Sequence, residues 1–144
     1  MEKLWTYGGV VIATPPEGVY GFIYKITLPD GSVYFGKKAF EHNQKKTISK
    51  KARKLSGTKK RIEKVKKDSG WLDYWGSSKP LLEYLDAALD RKIFSKREIL
   101  KFCNDKISLT YWEMVTMVNE RVLFRNDCWN GNIIGKFFKG KIHE

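Results

Sequence analysis

The chain has 144 residues, 42% of them hydrophobic, which suits one domain with a buried core. Its formal net charge of +12 is high for that size and points to an anionic partner. No apolar run nears the roughly 20 residues of a membrane helix, and the cysteines, Cys103 and Cys128, form neither a zinc pattern nor a disulfide framework, which sets aside membrane-spanning, zinc-binding and disulfide-stapled classes.

Residues 1–20 read as a lead-in. Within it Val10-Val11-Ile12-Ala13 is a candidate strand, ended by Pro15-Pro16-Glu17-Gly18. The run is too short for a signal peptide and lacks a basic region before it, so the expected compartment is the cytoplasm. The next stretch, from Gly21 to Lys38, is the clearest in the chain. Phe, Ile, Tyr, Thr and Val fill two arms separated by Pro29-Asp30-Gly31, the composition of two strands and a tight turn. Pro presets φ at the first turn position, Asp suits the second, and Gly accepts positive φ. That order predicts a three-residue loop with a glycine bulge. With Leu28 paired to Ser32, Tyr24 faces Gly36 and Tyr34 faces Ile26, and the alternation of side chains puts Tyr24 and Tyr34 on one face. A two-residue loop would put them on opposite faces.

Residues 39–70 hold the charge. Between Lys37 and Lys67 lie fourteen lysines and arginines against two acids, Glu41 and Glu63, while the rest of the chain carries fourteen basic and fourteen acidic residues. All of the excess therefore sits in one block. Ile48, Ala52 and Leu55, and then Ile62 and Val65, stand at helical spacing, which predicts one or two helices with a thin apolar stripe, broken near Ser56-Gly57-Thr58. Such a segment repels itself and orders on docking or on binding a polyanion.

An aromatic knot follows, Trp71-Leu72-Asp73-Tyr74-Trp75, running into Gly76-Ser77-Ser78. Trp71, Tyr74 and Trp75 are read as core, with base stacking the alternative. Ser78 is a candidate N-cap with Pro80 in the first turn, and Leu81, Leu82, Leu85, Ala88 and Leu89 make an amphipathic face. Phe94 to Cys103 reads as a third strand, on which Arg97 and Glu98 are expected to face solvent. Ser108 is expected to cap a second helix running to about Leu123, with Tyr111, Met114, Val115, Val118 and Val122 buried and Glu113 on the flank. Cys128-Trp129-Asn130-Gly131-Asn132 reads as a turn, followed by a short strand.

Phe22-Ile23-Tyr24, Tyr34-Phe35-Gly36 ten residues later, Gly76-Ser77-Ser78 before a helix, Phe94 with Arg97-Glu98-Ile99-Leu100 on a strand, and Tyr111-Trp112-Glu113 on a helix occur in that order. Together with Trp129-Asn130 they resemble the GIY-YIG nuclease family, of the stand-alone kind similar to phage-type homing endonucleases. Each triplet is weak alone; the ordered set is specific. It covers about residues 20–132. The resemblance implies an α+β fold, a three-stranded antiparallel sheet flanked by helices, here forming a single domain over 1–144 with a lysine-rich helical insertion at about 39–70.

The resemblance also implies an activity, metal-dependent hydrolysis of DNA phosphodiesters. Tyr24 would act as general base or hold the attacking water, and Tyr34 would share hydrogen bonds to that water or to the phosphate. Glu113 would ligate a divalent cation, Mg²⁺ or Mn²⁺, and Asn130 would orient the site. Hydrolysis needs these functions: an activated water, a cation for developing oxyanion charge, and donors around the phosphate. A free phenol titrates near ~10 and needs a neighbouring cation to work as a base at neutral pH. Two positions depart from the family. Phe22 stands where glycine is usual. The arginine that follows the second triplet is missing: Gln44, Lys45 and Lys46 occupy that spacing, which leaves Lys38, His42, Arg53 or Arg61 as candidates for its phosphate-clamping role.

Lys37, Lys45, Lys46, Lys50, Lys51, Arg53, Lys59, Lys60 and Arg61 are the expected DNA contacts, since phosphate contacts release counterions and give affinity without sequence information. The expected partner is DNA, with a homodimer or a second protein as a possible source of targeting. A non-catalytic nucleic-acid-binding protein on the same scaffold is the alternative, and an RNA-binding module is a third class.

Overall fold

The computed structural model describes residues 4–144, and its sheet is built outward from one turn. The Leu28 N–H donates to the Ser32 carbonyl at 2.8 Å and the Gly31 N–H to the Leu28 carbonyl at 2.9 Å. Gly31 takes a φ of 86°, which a residue with a Cβ rarely adopts. The Asp30 carboxylate accepts from the Ser32 N–H at 2.9 Å and holds the bend. This is the three-residue loop that Pro-Asp-Gly predicts.

In chain order the described residues form β1 (Thr6–Tyr7), β2 (Val10–Val11), β3 (Gly21–Thr27), β4 (Val33–Ala39) and β5 (Glu41–Thr47). There follow α1 (Lys50–Ser56), β6 (Ile62–Asp68), a single 3₁₀ turn at Trp71–Asp73, α2 (Lys79–Asp86), α3 (Leu89–Ile93) and β7 (Lys96–Cys103). The chain closes with α4 (Lys106–Asn119), a 3₁₀ turn at Val122–Phe124, β8 (Asn132–Ile133) and β9 (Phe137–Phe138).

β3 pairs antiparallel with β4 on one side, Tyr24 opposite Gly36 and Ile26 opposite Tyr34, and with β7 on the other. These are the three expected strands. The sheet does not stop there: its order is β2-β1-β7-β3-β4, five strands, with β1 parallel to β7. Two-residue strands are too short for an alternation to be read, so β1 leaves no signal in the sequence. β4 lies at the edge.

The two faces of the sheet hold separate cores. Phe22, Tyr24, Ile26 and Tyr34 pack with Trp5, Phe40, Trp71, Leu81 and Leu85, and Trp5 donates its indole N–H to the Trp71 carbonyl at 2.7 Å. Each such aromatic contributes on the order of 1.5–3 kcal/mol by leaving water. On the opposite face Val33 and Phe35 meet Met117, Val122, Leu123, Cys128 and Ile133, and Ile23 meets Cys103 and Leu109. The aromatic knot and α2 thus cover one face, α4 the other.

Residues 41–68 do not form the expected helical stripe. β5 and β6 pair only with each other in a two-stranded ribbon, and every residue of both is exposed. α1 sits at the far end, capped by Ser49, whose side chain accepts from the Ala52 N–H, and stopped by Gly57 at a φ of 72°. The break near Gly57 is where the sequence puts it, and the helix expected before it forms over Lys50–Ser56, but Ile62 and Val65 after it lie on a strand. Neither period is informative where no position is buried.

Other boundaries shift for local reasons. Ser78 caps α2 as expected, but the helix ends at Asp86, and Leu89, in the separate α3, is 92% exposed. Asp105, not Ser108, caps α4: its carboxylate accepts from the Ser108 N–H at 2.7 Å. That helix stops at Asn119, and Arg121 turns left-handed at a φ of 52°. The buried stripe is therefore Leu109 and Met117, while Tyr111 and Val118 face solvent. No helix of the described residues is long and apolar enough to cross a membrane.

Candidate active site at the sheet edge

An edge strand presents unpaired backbone groups, and the way β4 satisfies them builds the site. Val33 N–H donates to the Asp127 carbonyl at 2.8 Å, and Trp129 N–H to the Val33 carbonyl at 2.9 Å. One step along, the Asn130 amide takes both groups of Phe35, accepting its N–H at 2.9 Å and donating to its carbonyl at 2.8 Å. The Lys37 N–H goes to the Glu113 carboxylate. Odd-numbered β4 residues thus face outward through their backbones, each tied to a segment that the sequence marks as functional.

The even-numbered side chains carry the phenols. Tyr24 and Tyr34 lie on one face with ring centroids 6.2 Å apart. A third phenol, Tyr74, meets Tyr24 edge to face at 6.0 Å, and each hydroxyl perturbs the ionisation of the other. Tyr34 Oη lies 3.3 Å from Ser77 Oγ. Two glycines make room. A Cβ on Gly36 would sit 2.6 Å from Tyr24 Cζ, and one on Gly76 would sit 2.8 Å from Tyr34 Cε1. Gly76 also takes a φ of 97°. The glycines of Tyr34-Phe35-Gly36 and Gly76-Ser77-Ser78 are therefore requirements of the phenol cluster.

Arg97 holds the loop that supplies Tyr74 and Gly76. Expected at the surface, it is 4% exposed. Its guanidinium donates to the Leu72 and Tyr74 carbonyls, both at 2.9 Å, and lies over the rings of Trp5 and Trp75. A charged residue is buried here because aromatic faces and carbonyls replace its water.

The electrostatics follow burial. Tyr24, 1% exposed, has its pKa pushed well above 10, first by burial and then by Tyr34 and Tyr74. Tyr74 is raised by burial, opposed by its hydrogen bonds to Tyr24 and Ser77. Burial also lifts Glu113 above the usual carboxylate range, against the pull of Lys37. Lys38, with its Nζ 4.1 Å from the Tyr74 ring centroid, is lowered by burial, against the charge of Asp68.

The structure gathers Tyr24, Tyr34 and Lys38 on one side of β4 and Glu113 at its outer edge. Lys37 points the other way, its Nζ donating to Thr110 Oγ1 at 2.9 Å. Asn130 is buried against the backbone of β4, not among the phenols. His42 is exposed at the base of the ribbon, opposite Lys67, where it lines a cleft of 580 Å³ with Pro15, Tyr20 and Asn104. Lys45 and Lys46 lie on β5, Lys50, Lys51 and Arg53 on α1, and Lys59, Lys60 and Arg61 on the return to β6. Of Lys38, His42, Arg53 and Arg61, Lys38 is the one seated on a phenol of the cluster. Tyr74, Ser77 and Arg97 were not singled out as site residues from the sequence. Ser77 and Arg97 stand in two of the ordered motifs, Gly76-Ser77-Ser78 and Arg97-Glu98-Ile99-Leu100, and Tyr74 in the aromatic knot, but none of these patterns gives the residue its role.

Glu113 is a single carboxylate, and among the described residues no three His, Cys, Asp or Glu side chains converge as a metal cage. Mg²⁺ is commonly held by one or two carboxylates with waters and substrate phosphates, so this donor fits a cation shared with a bound phosphate. No curated protein and no solved structure matches the chain. Residues 5–133 match the family model described as "Putative endonuclease segE, GIY-YIG domain". With its two tyrosines on one face of the edge hairpin and its glutamate on α4, the chain belongs to the GIY-YIG endonuclease family.

Proposed function

We propose that the protein is a divalent-metal-dependent DNA endonuclease that hydrolyses phosphodiester bonds at the edge of β4. The observation that carries this reading is the meeting of three phenols, Ser77 and Lys38 with the Glu113 carboxylate around one strand edge. Mg²⁺ or Mn²⁺ would be held by Glu113 and would supply positive charge for the developing phosphate oxyanion. Lys38 takes the phosphate-clamping role as a point charge, without the two-pronged geometry of an arginine. Tyr34 and Ser77 offer hydroxyls to the phosphate or the attacking water.

Tyr24 keeps its proton in the resting protein, so there it orients water and does not accept from it. It becomes an acceptor only once Tyr74, the less buried of the two, has released its own proton to solvent and taken up that of Tyr24. Water oxygen bonds to phosphorus, the ester oxygen leaves, and the proton lost by water returns to that oxygen.

Supercoiled plasmid incubated with the purified protein tests this. Nicking with Mg²⁺ or Mn²⁺ that EDTA and Glu113→Ala both abolish is the expected result. Intact plasmid with the wild-type protein across metals and salt concentrations would sink the enzyme reading. It would favour a non-catalytic DNA-binding protein, for which the position of Arg53 on α1 and Arg61 on the return to β6, at the far end of the ribbon, already speaks.

A further inference from the structure

We propose that the β5–β6 ribbon is a DNA-reading arm that lies in the major groove on one side of the cut, with α1 and the return loop on the flanking phosphates. The choice of DNA rests on the nuclease reading above. The placement rests on the ribbon itself. A two-stranded hairpin is marginally stable alone in water, and this one buries none of its fourteen strand residues. It is completed by a partner.

The faces of the ribbon tell which side that partner takes. Cross-strand pairs share a face, so Lys45 opposite Lys64 and Asn43 opposite Lys66 lie together, with Glu41 opposite Asp68 at the base. Two lysines directly opposed, with Cβ atoms about 5 Å apart, repel each other unless an anion lies over them. On the other face Lys46 stands opposite Glu63 and is neutralised, Gln44 faces Val65, and His42 faces Lys67. The first face therefore grades from acidic at the sheet to basic at Lys45 and Lys64, ahead of an uncharged end pair, Thr47 opposite Ile62. Beyond it Lys50, Arg53, Lys54, Lys59 and Arg61 line an open concavity of 400 Å³. Arg53 Nε is shielded there without a hydrogen-bond partner, as expected of a group that completes its bonding with a phosphate oxygen.

The dimensions agree. The major groove of B-DNA, about 12 Å wide, admits a two-stranded ribbon. Seven residues at ~3.4 Å make each strand roughly 24 Å long. Eleven residue steps separate Gly36 beside Tyr24 from Thr47 at the ribbon end, at most about 37 Å, close to one helical turn of ~34 Å. The arm can thus touch DNA up to about one turn from the cut, on one side. Duplex RNA, whose major groove is deep and narrow, does not admit it.

The test uses the full chain in EDTA, where binding is read without cleavage, on a 40-base-pair DNA duplex. Dimethyl sulfate footprinting should show guanine N7 protection, a major-groove signal, extending to about one turn from the cut on one side. The triple variant Lys45→Thr, Lys64→Thr, Lys66→Thr should lose that protection and bind at least tenfold more weakly. Gln44→Thr with Lys67→Thr, on the opposite face, should change affinity less than threefold. These positions are exposed, so folding is preserved, and unfolding curves verify it. A second variant, in which Asn-Gly joins Glu41 directly to Asp68, should keep the core and lose the one-sided footprint. Unchanged N7 protection in the triple variant, or equal affinity for duplex RNA, would overturn the arm. A protein that shows the arm-dependent footprint but never nicks would overturn the nuclease reading alone, and one that nicks with no dependence on the arm would overturn the arm alone.

Discussion

The phenol of Tyr24 lies flat across Gly36, so close that a methyl group on that glycine would sit 2.6 Å from Tyr24 Cζ. Gly36→Ala should therefore displace Tyr24 or open the hairpin, at about 1–3 kcal/mol of overpacking. The expected result is a melting point lower by several degrees and nicking reduced at least a hundredfold. Gly131, which has open space around it and no positive φ, is the control: Gly131→Ala should leave both unchanged.

Under the proposed function, Glu113 gives up stability in exchange for a cation ligand. Burial raises its pKa above its unfolded value, so its contribution to stability is present below the unfolded pKa of ~4.5 and is lost as pH rises through the folded pKa. Glu113→Gln keeps an oxygen for the Lys37 N–H and removes the buried charge. It should melt higher than wild type at pH 7, with the difference shrinking toward pH 4, while plasmid nicking disappears. Thermal unfolding at the two pH values, beside a nicking assay, checks the pair.

The same sign applies to Tyr24 at the alkaline end. Its raised pKa means that stability present below pH ~10 is lost as pH climbs toward the folded value. Tyr24→Phe should flatten the alkaline limb of the stability profile, and it should abolish nicking with binding in EDTA kept within a few-fold.

Asn130 holds the backbone of β4 at Phe35. Asn130→Ala leaves the Phe35 N–H and carbonyl without partners in a buried place, at about 1–3 kcal/mol for each group. Asn130→Asp still accepts the N–H but sets an oxygen against the Phe35 carbonyl. Its loss of stability should be large at pH 7 and recover as the acid protonates toward pH 4, a dependence that a simple packing defect lacks.

Arg97→Lys tests the loop anchor. A lysine cannot donate in the guanidinium plane to Leu72 and Tyr74 carbonyls and stack between two indoles. Destabilisation of about 2 kcal/mol or more should come with a shift in tryptophan fluorescence from Trp5 and Trp75, and with loss of nicking as Tyr74 leaves Tyr24.

What the sequence made legible was local chemistry. Pro29-Asp30-Gly31 specified a loop, the loop specified a register, and the register put Tyr24 and Tyr34 together. Ser78 with Pro80 marked a helix start in the same way. The misreadings share a cause. Ile48, Ala52, Leu55, Ile62 and Val65 suggested a helical stripe, but a segment that buries nothing carries no period. A lone arginine on a strand predicts a surface position, but the sink of indoles and carbonyls that buries Arg97 is assembled from positions 5, 72, 74 and 75. Tyr74 joined the phenols for the same reason, through tertiary packing that no local pattern records.

The ribbon leaves the core after Phe40 and returns at Ser69, whose N–H donates to the Phe40 carbonyl at 3.0 Å, with Glu41 and Asp68 facing each other as the first rung. Entry and exit are one doorway. A ribbon of another length or lettering can hang from that doorway without moving Trp71, Tyr24 or Gly36, so the proposed cutting centre and the proposed reading arm can change independently.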